Sequence, residues 1–178
     1  KGIVDLRKAL GLDPVTAVIG STSPPIIVND VIITGSSFPT GLAPRSMREM
    51  RGDISAYDVR TGNRLWIFHT IPQQGEYGNE SWKNDSWKYT GNVGAWPPLS
   101  ADPELGYVYL PLEAATGDLY GGHRPGDNLF SQSLVCLDVK TGKRIWHFQM
   151  IHHDTWDYDL PAPPVLANIE VDGAKIKA

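Results

Sequence analysis

The chain has 178 residues, 41% of them hydrophobic and 10% aromatic, with a formal net charge of -4, the balance of a globular protein able to bury one sizeable core. Its acidic balance and lack of any basic run exclude a track for nucleic-acid phosphates. No window approaches the roughly 18 continuous apolar residues of a membrane span, so any membrane association must come from segments outside this sequence. The chain starts at Lys1 without a methionine and ends at Ala178 in what reads as mid-strand, the pattern of a piece of a larger protein.

In chain order, the first element is a weakly periodic short helix over Val4–Leu12. From Ser23 the pattern becomes β. Ile26-Ile27-Val28 and Val31-Ile32-Ile33-Thr34 are β-branched runs separated by Asn29-Asp30, which predicts a hairpin. After a polar excursion from Ser36 to Arg51, the stretch 53–68 reads as strand, turn, strand, with Asp58 and Thr61-Gly62 supplying the turn chemistry.

The same unit returns later. Leu134-Val135-Cys136-Leu137-Asp138-Val139-Lys140-Thr141-Gly142-Lys143-Arg144-Ile145-Trp146 repeats the Asp, Val, Thr-Gly, Arg and Trp of the first unit in register. Residues 96–110 echo the hairpin of 24–35, and a third start appears at Pro161. The lone Cys136 falls inside a repeated strand, where a small core residue is expected; it has no partner for an internal disulfide and leaves the compartment open.

Each repeat is thus four short strands, the last carrying D-x-x-T-G-x-x-x-W. The predicted fold is all-β: a β-propeller segment of about two four-stranded blades, residues 23–70 and 96–150, with the start of the next at 161–178. A β-sandwich with a chance internal echo is the competing architecture. The spacing exceeds that of a compact blade, and the surplus, at 70–95 and 114–132, predicts long loops on one face, where a site is expected.

The densest chemistry lies in His152-His153-Asp154-Thr155-Trp156-Asp157-Tyr158-Asp159-Leu160-Pro161. So many ionisable groups are costly to bury unless paired, hydrogen-bonded or metal-bound, although a polar loop between strands would carry a similar composition. Adjacent histidines on a strand point to opposite faces, so packing and hydrogen bonding are expected of His152 and His153. Trp82, Trp87, Tyr89 and Trp96 cluster in the first long loop, a composition that suits a sugar-binding surface and equally a loop anchor.

The signature Ala-Tyr-Asp-Val-Arg-Thr-Gly-Asn-Arg-Leu-Trp (56–66) resembles the tryptophan-docking repeat of the pyrroloquinoline quinone (PQQ) dependent dehydrogenases. Residues 109–124 and 152–162 resemble the glucose/quinate dehydrogenase branch of that family, and the likeness runs from about Ser23 to Gly173. The resemblance implies a quinoprotein oxidising a sugar, polyol or alcohol, inactive as an isolated segment and passing electrons to a quinone or cytochrome. It also implies a periplasmic location.

By residue, the resemblance implies that Asp157 is the catalytic base, since alcohol oxidation requires a group that takes the hydroxyl proton as hydride leaves. Trp96 falls on the tryptophan that lies flat under the PQQ ring. Ser36 and Ser37 fall on residues that hydrogen-bond the cofactor's carboxylates. Thr116 falls on a cofactor- and metal-binding position, so Thr116 and Asp157 are the expected ligands of a calcium (or magnesium) ion. Trp96, Thr116, Asp157 and the Ser36-Ser37 segment should then open on one funnel, with Trp96 beginning an inner strand.

The chain departs from the family pattern at Phe38-Pro39-Thr40, where a metal-binding carboxylate or Asp-Asn pair is usual. Either Glu49 or Asp53 folds back to replace it, or the metal rests on fewer protein ligands. The adjacent cysteine pair of the alcohol-oxidising branch and the haem signature C-x-x-C-H are missing. The alternative function is a non-catalytic propeller serving as a protein-binding scaffold, which would have no use for Trp96 and Asp157 in a central funnel.

Overall fold

Turn chemistry sets the limits of the sheets in the computed structural model, which describes residues 3–36 and 49–178. β1 (Ile26–Val28) and β2 (Val31–Thr34) meet at Asn29-Asp30, whose φ angles of 49° and 63° are those of a hairpin turn that matches strand twist. β3 (Ile54–Asp58) returns along β2 and turns into β4 (Arg64–Phe68). At that turn Asp58 Oδ1 accepts the amides of Arg60 and Thr61 at 3.1 and 2.7 Å and the Thr61 hydroxyl at 2.8 Å. These bonds satisfy the turn without ladder partners.

The second unit repeats this as β5 (Ser100–Asp102), β6 (Tyr107–Pro111), β7 (Ser133–Asp138) and β8 (Arg144–Gln149), with Asp138 accepting from Thr141 in the same way. Both sheets are antiparallel and in sequence order, as the blade reading requires. They even share an irregularity. The register slips between Ala56 and Tyr57 opposite β4, and between Cys136 and Leu137 opposite β8, leaving Leu65 and Ile145 unpaired beside Trp66 and Trp146.

The core lies between the sheets. Ile33, Ile54 and Ala56 of the first and Val108, Leu110, Val135 and Leu137 of the second belong to one buried cluster. Trp66 joins them: its Nε1 donates to Val139 O at 2.8 Å, and its ring lies so close to Gly142 that a Cβ there would stand 2.5 Å away. Trp146, its counterpart, is 40% exposed. Cys136 is fully buried, and burial pushes its thiol up to about 12.

Three local expectations differ. The early helix, α1, is only Leu6–Ala9, capped by Asp5 Oδ1 on the amides of Arg7 and Lys8. Trp96 does not begin a strand; β5 starts at Ser100, because Pro97-Pro98 lack the N–H groups a ladder needs. For the same reason no strand starts at Pro161, and the third unit is a hairpin of β9 (Asn168–Val171) and β10 (Ala174–Lys177).

Candidate functional site

The long loops bring four separate stretches together. Residues 91–94 run antiparallel to 113–116, through Val93 N to Ala114 O (3.2 Å), Glu113 N to Gly94 O (3.0 Å) and Thr116 N to Gly91 O (3.2 Å). On their other side Asn92 N donates to Met50 O (2.7 Å) and Gly52 N to Asn92 O (2.6 Å). Close approach demands glycine here: a Cβ on Gly52 would lie 2.2 Å from Gly94 Cα, and one on Gly94 would lie 2.4 Å from Ser36 O.

Ser36 therefore sits against Gly94, two residues before Trp96. Its own hydroxyl is turned inward, donating to Asp53 O at 2.7 Å. Ser37 and Phe38-Pro39-Thr40 lie outside the described residues. The half-buried indole of Trp96 donates from Nε1 to Asp159 Oδ2 at 2.8 Å, and Ser23 Oγ donates to the Trp96 carbonyl.

Thr116 is fully buried. Its hydroxyl accepts from Gly91 N at 2.9 Å and donates to Glu49 Oε2, and its carbonyl accepts from His123 Nε2 at 3.0 Å. Glu49 thus reaches Thr116, whereas Asp53 turns away to accept the Thr70 amide at 3.1 Å. Glu49 Oε1 is buried with no hydrogen-bond partner among the described residues, and burial raises this carboxyl above its ordinary range.

Asp157 is exposed, with φ of 59°. The amide-capping role that a loop aspartate could have had belongs instead to Asp154, whose Oδ1 and Oδ2 accept Trp156 N (3.1 Å) and Tyr158 N (3.3 Å). Asp157 is left with a carboxylate raised by partial burial and by the charges of Asp159 and Asp154. The loop that carries Asp157 is tied to the Thr116 stretch through Asp159, whose Oδ1 accepts Ala114 N at 2.9 Å, two residues before Thr116. His152 and His153 form part of a turn and not of a strand; His153 Nδ1 donates to Gly126 O at 2.9 Å.

The electrostatics of the cluster are one-sided. Burial and the charge of Asp159 push Glu113 up to about 8, although Gly94 N donates to its Oε1 at 3.1 Å. Burial and Asp157 push Asp118 to about 6, with Asp159 adding to the effect. Buried Arg124 lies by Asp118 and Asp154, and its terminal nitrogens donate to Asn128 Oδ1 (2.8 Å), Gly117 O (3.2 Å) and Asp154 O. A divalent cation would offset this excess of negative charge. Among the described residues no three His, Cys, Asp or Glu side chains come together to hold a metal unaided, so hydroxyl or carbonyl oxygens would have to complete a site.

Sequence reasoning passed over Glu113, Asp118 and Asp159 as site residues. The first lies between the apolar Leu112 and Ala114, a position where a carboxylate signals deliberate burial. The aromatic loop resolves as an anchor: Trp82 Nε1 donates to Leu129 O at 3.2 Å, and Tyr89 OH to His123 O at 2.6 Å.

The family model described as the β-propeller domain of PQQ glucose/ethanol/alcohol dehydrogenases matches residues 1–178. The chain is 36% identical over 178 residues to the quinoprotein glucose dehydrogenase of Escherichia coli (strain K12), covering 99% of this chain and 21% of that protein. It is 32% identical over 181 residues to the quinate/shikimate dehydrogenase (quinone) of Acinetobacter baylyi, again covering 99% of this chain and 21% of the relative. A solved quinohemoprotein alcohol dehydrogenase from Pseudomonas putida HK5 superposes with a TM-score of 0.75 at 28% identity, over 89% of this chain and 24% of that one. The chain thus spans about a fifth of the length of these curated relatives.

Proposed function

Because the chain belongs to the β-propeller family of PQQ-dependent dehydrogenases, we propose that it forms the base-bearing part of the active site of a quinoprotein oxidising a sugar, polyol or related alcohol. The observation that carries this reading is a carboxylate, Asp157, raised by partial burial and by its acidic neighbours, and placed on the same loop as the carboxylate that holds the Trp96 indole.

In this reading Trp96 offers an indole face to a flat aromatic ring, combining apolar burial with offset stacking. Ser36 and Ser37 would supply polar groups for the cofactor's carboxylates. Thr116, Glu49 and Asp157 supply oxygens to a divalent cation, calcium or magnesium. The partnerless, buried Oε1 of Glu49 fits that task. Glu49 would then take over the ligand role that Phe38-Pro39-Thr40 cannot fill. When bound, PQQ supplies the two-electron acceptor that receives the substrate's hydride.

Asp157 accepts the proton of the substrate hydroxyl. A carboxylate with a raised pKa is the better base, and exposure lets it meet a substrate entering from solvent. The electron acceptor beyond PQQ would be a quinone or cytochrome, and the family resemblance favours a periplasmic setting. Reconstitution of the full-length apoprotein tests the reading. PQQ with calcium or magnesium should restore dye reduction by glucose or another polyol, and a protein that takes up no PQQ under these conditions rejects it.

A further inference from the structure

Asp159 has no role in the chemistry just described, yet its carboxylate accepts donors from three distant parts of the chain, Trp96, Ala114 and Gln132. Its Oδ2 accepts Trp96 Nε1 at 2.8 Å. Its Oδ1 accepts Ala114 N at 2.9 Å and Gln132 Nε2 at 3.3 Å. Gln132 is fully buried and also donates from Nε2 to Asp154 Oδ2 at 3.1 Å, so Asp157 stands in a loop pinned on both sides.

We infer that Asp159 is the positioning residue that fixes the plane of the Trp96 indole and holds it in register with the Thr116 stretch and the Asp157 loop. This rests on the reading of Trp96 as the cofactor platform. An indole swings about two side-chain torsions, and a hydrogen bond at its edge nitrogen fixes the second, which sets the tilt of the face. A charged acceptor makes that bond stronger and shorter than a neutral one.

The chemistry also explains why an aspartate, and not its amide, stands here. The two oxygens receive donors from different elements, one from an indole and one from a backbone amide. An asparagine has a single oxygen and would turn its NH₂ toward one of the two donors. Asp159→Asn therefore keeps size and polarity while breaking one side of the link.

The test is a double-mutant cycle in the full-length protein, read as PQQ affinity of the apoprotein and as quenching of tryptophan fluorescence at saturating PQQ. Asp159→Asn should weaken PQQ binding by roughly 10-fold or more, the scale of a lost charged hydrogen bond. In a Trp96→Phe background, where no indole N–H exists, the same change should cost less than about threefold, because the two effects act through one contact. Asp159→Glu, which keeps the charge but displaces the carboxylate by one methylene, is the second arm should the asparagine variant not fold. It should lower quenching at saturation while far-UV circular dichroism is unchanged. Wild-type affinity in Asp159→Asn, an equal penalty in both backgrounds, or unaltered quenching in Asp159→Glu overturns the inference. Wild-type protein that binds no PQQ instead overturns the functional reading beneath it.

Discussion

The two sheets and the loop-built cluster beside them are stabilised on opposite principles. In the sheets, Ile33, Ile54, Val108, Leu110, Val135 and Leu137 are all fully buried, and the two units share turn, register and slip. The cluster instead buries Asp53, Glu113, Asp118, Arg124 and Asp154; burial pushes the carboxyls of Asp53, Glu113 and Asp118 upward, and acidic neighbours add to it at Glu113 and Asp118. Carboxyl groups are buried there among apolar residues such as Val93, Leu112 and Ala115, a cost in stability that a site bears to have reactive groups available. Damage to the sheets should therefore read out as stability, and damage to the cluster as activity.

The sharpest break in that contrast is Asp157→Asn. It should lower turnover by about 10²–10⁴-fold, the range for a lost general base, while the thermal midpoint stays put. Near-normal kcat with saturating PQQ and metal would remove Asp157 as the base. On the sheet side, Trp66→Ala should destabilise by about 3–5 kcal/mol, through lost burial and the orphaned Val139 carbonyl. Activity per folded molecule should be unchanged, as denaturant titration combined with active-site counting would show.

Glu113→Gln should act in the opposite sense. The folded-state pKa of Glu113 is raised from 4.5 to about 8, so its contribution to stability is complete below about pH 4.5 and is lost as pH rises through about 8. The amide cannot ionise, so the variant should be the more stable protein at pH 8–9, by an amount on the order of 2 kcal/mol. Its midpoint should also fall less steeply between pH 5 and 8. An unchanged pH profile would mean that Glu113 is not held neutral.

The smallest effect separates two glycines. Gly62 and Gly142 have φ of 73° and 68°, so either one changed to alanine strains the turn, by about 1 kcal/mol. Only Gly142 carries the Trp66 ring above it, which adds about 1–3 kcal/mol of overpacking to Gly142→Ala. Equal losses in the two variants would show that the ring contact contributes nothing.

What could be read from the residues was whatever is local. The Asp-x-x-Thr-Gly turn closes on its own side chain and needs no distant partner, so both four-stranded units were legible. Trp96 was read as a strand start from its flanking apolar residues, and the prolines after it overrode that pattern. The choice between Glu49 and Asp53 could not be made along the chain, since Thr116 is 67 residues from Glu49. Asp159 was visible as part of a motif, but its three donors come from Trp96, Ala114 and Gln132, brought together only by the fold.

Trp66 and Gly142 also behave as key and lock between successive sheets. The Gly62 turn is an empty lock, with nothing within 4 Å of where its Cβ would be, and the exposed Trp146 is an unused key. A linear row of such units always has one of each left over, however many are added. Only a ring leaves none, so the geometry of one tryptophan gives the whole array both a direction and a reason to close.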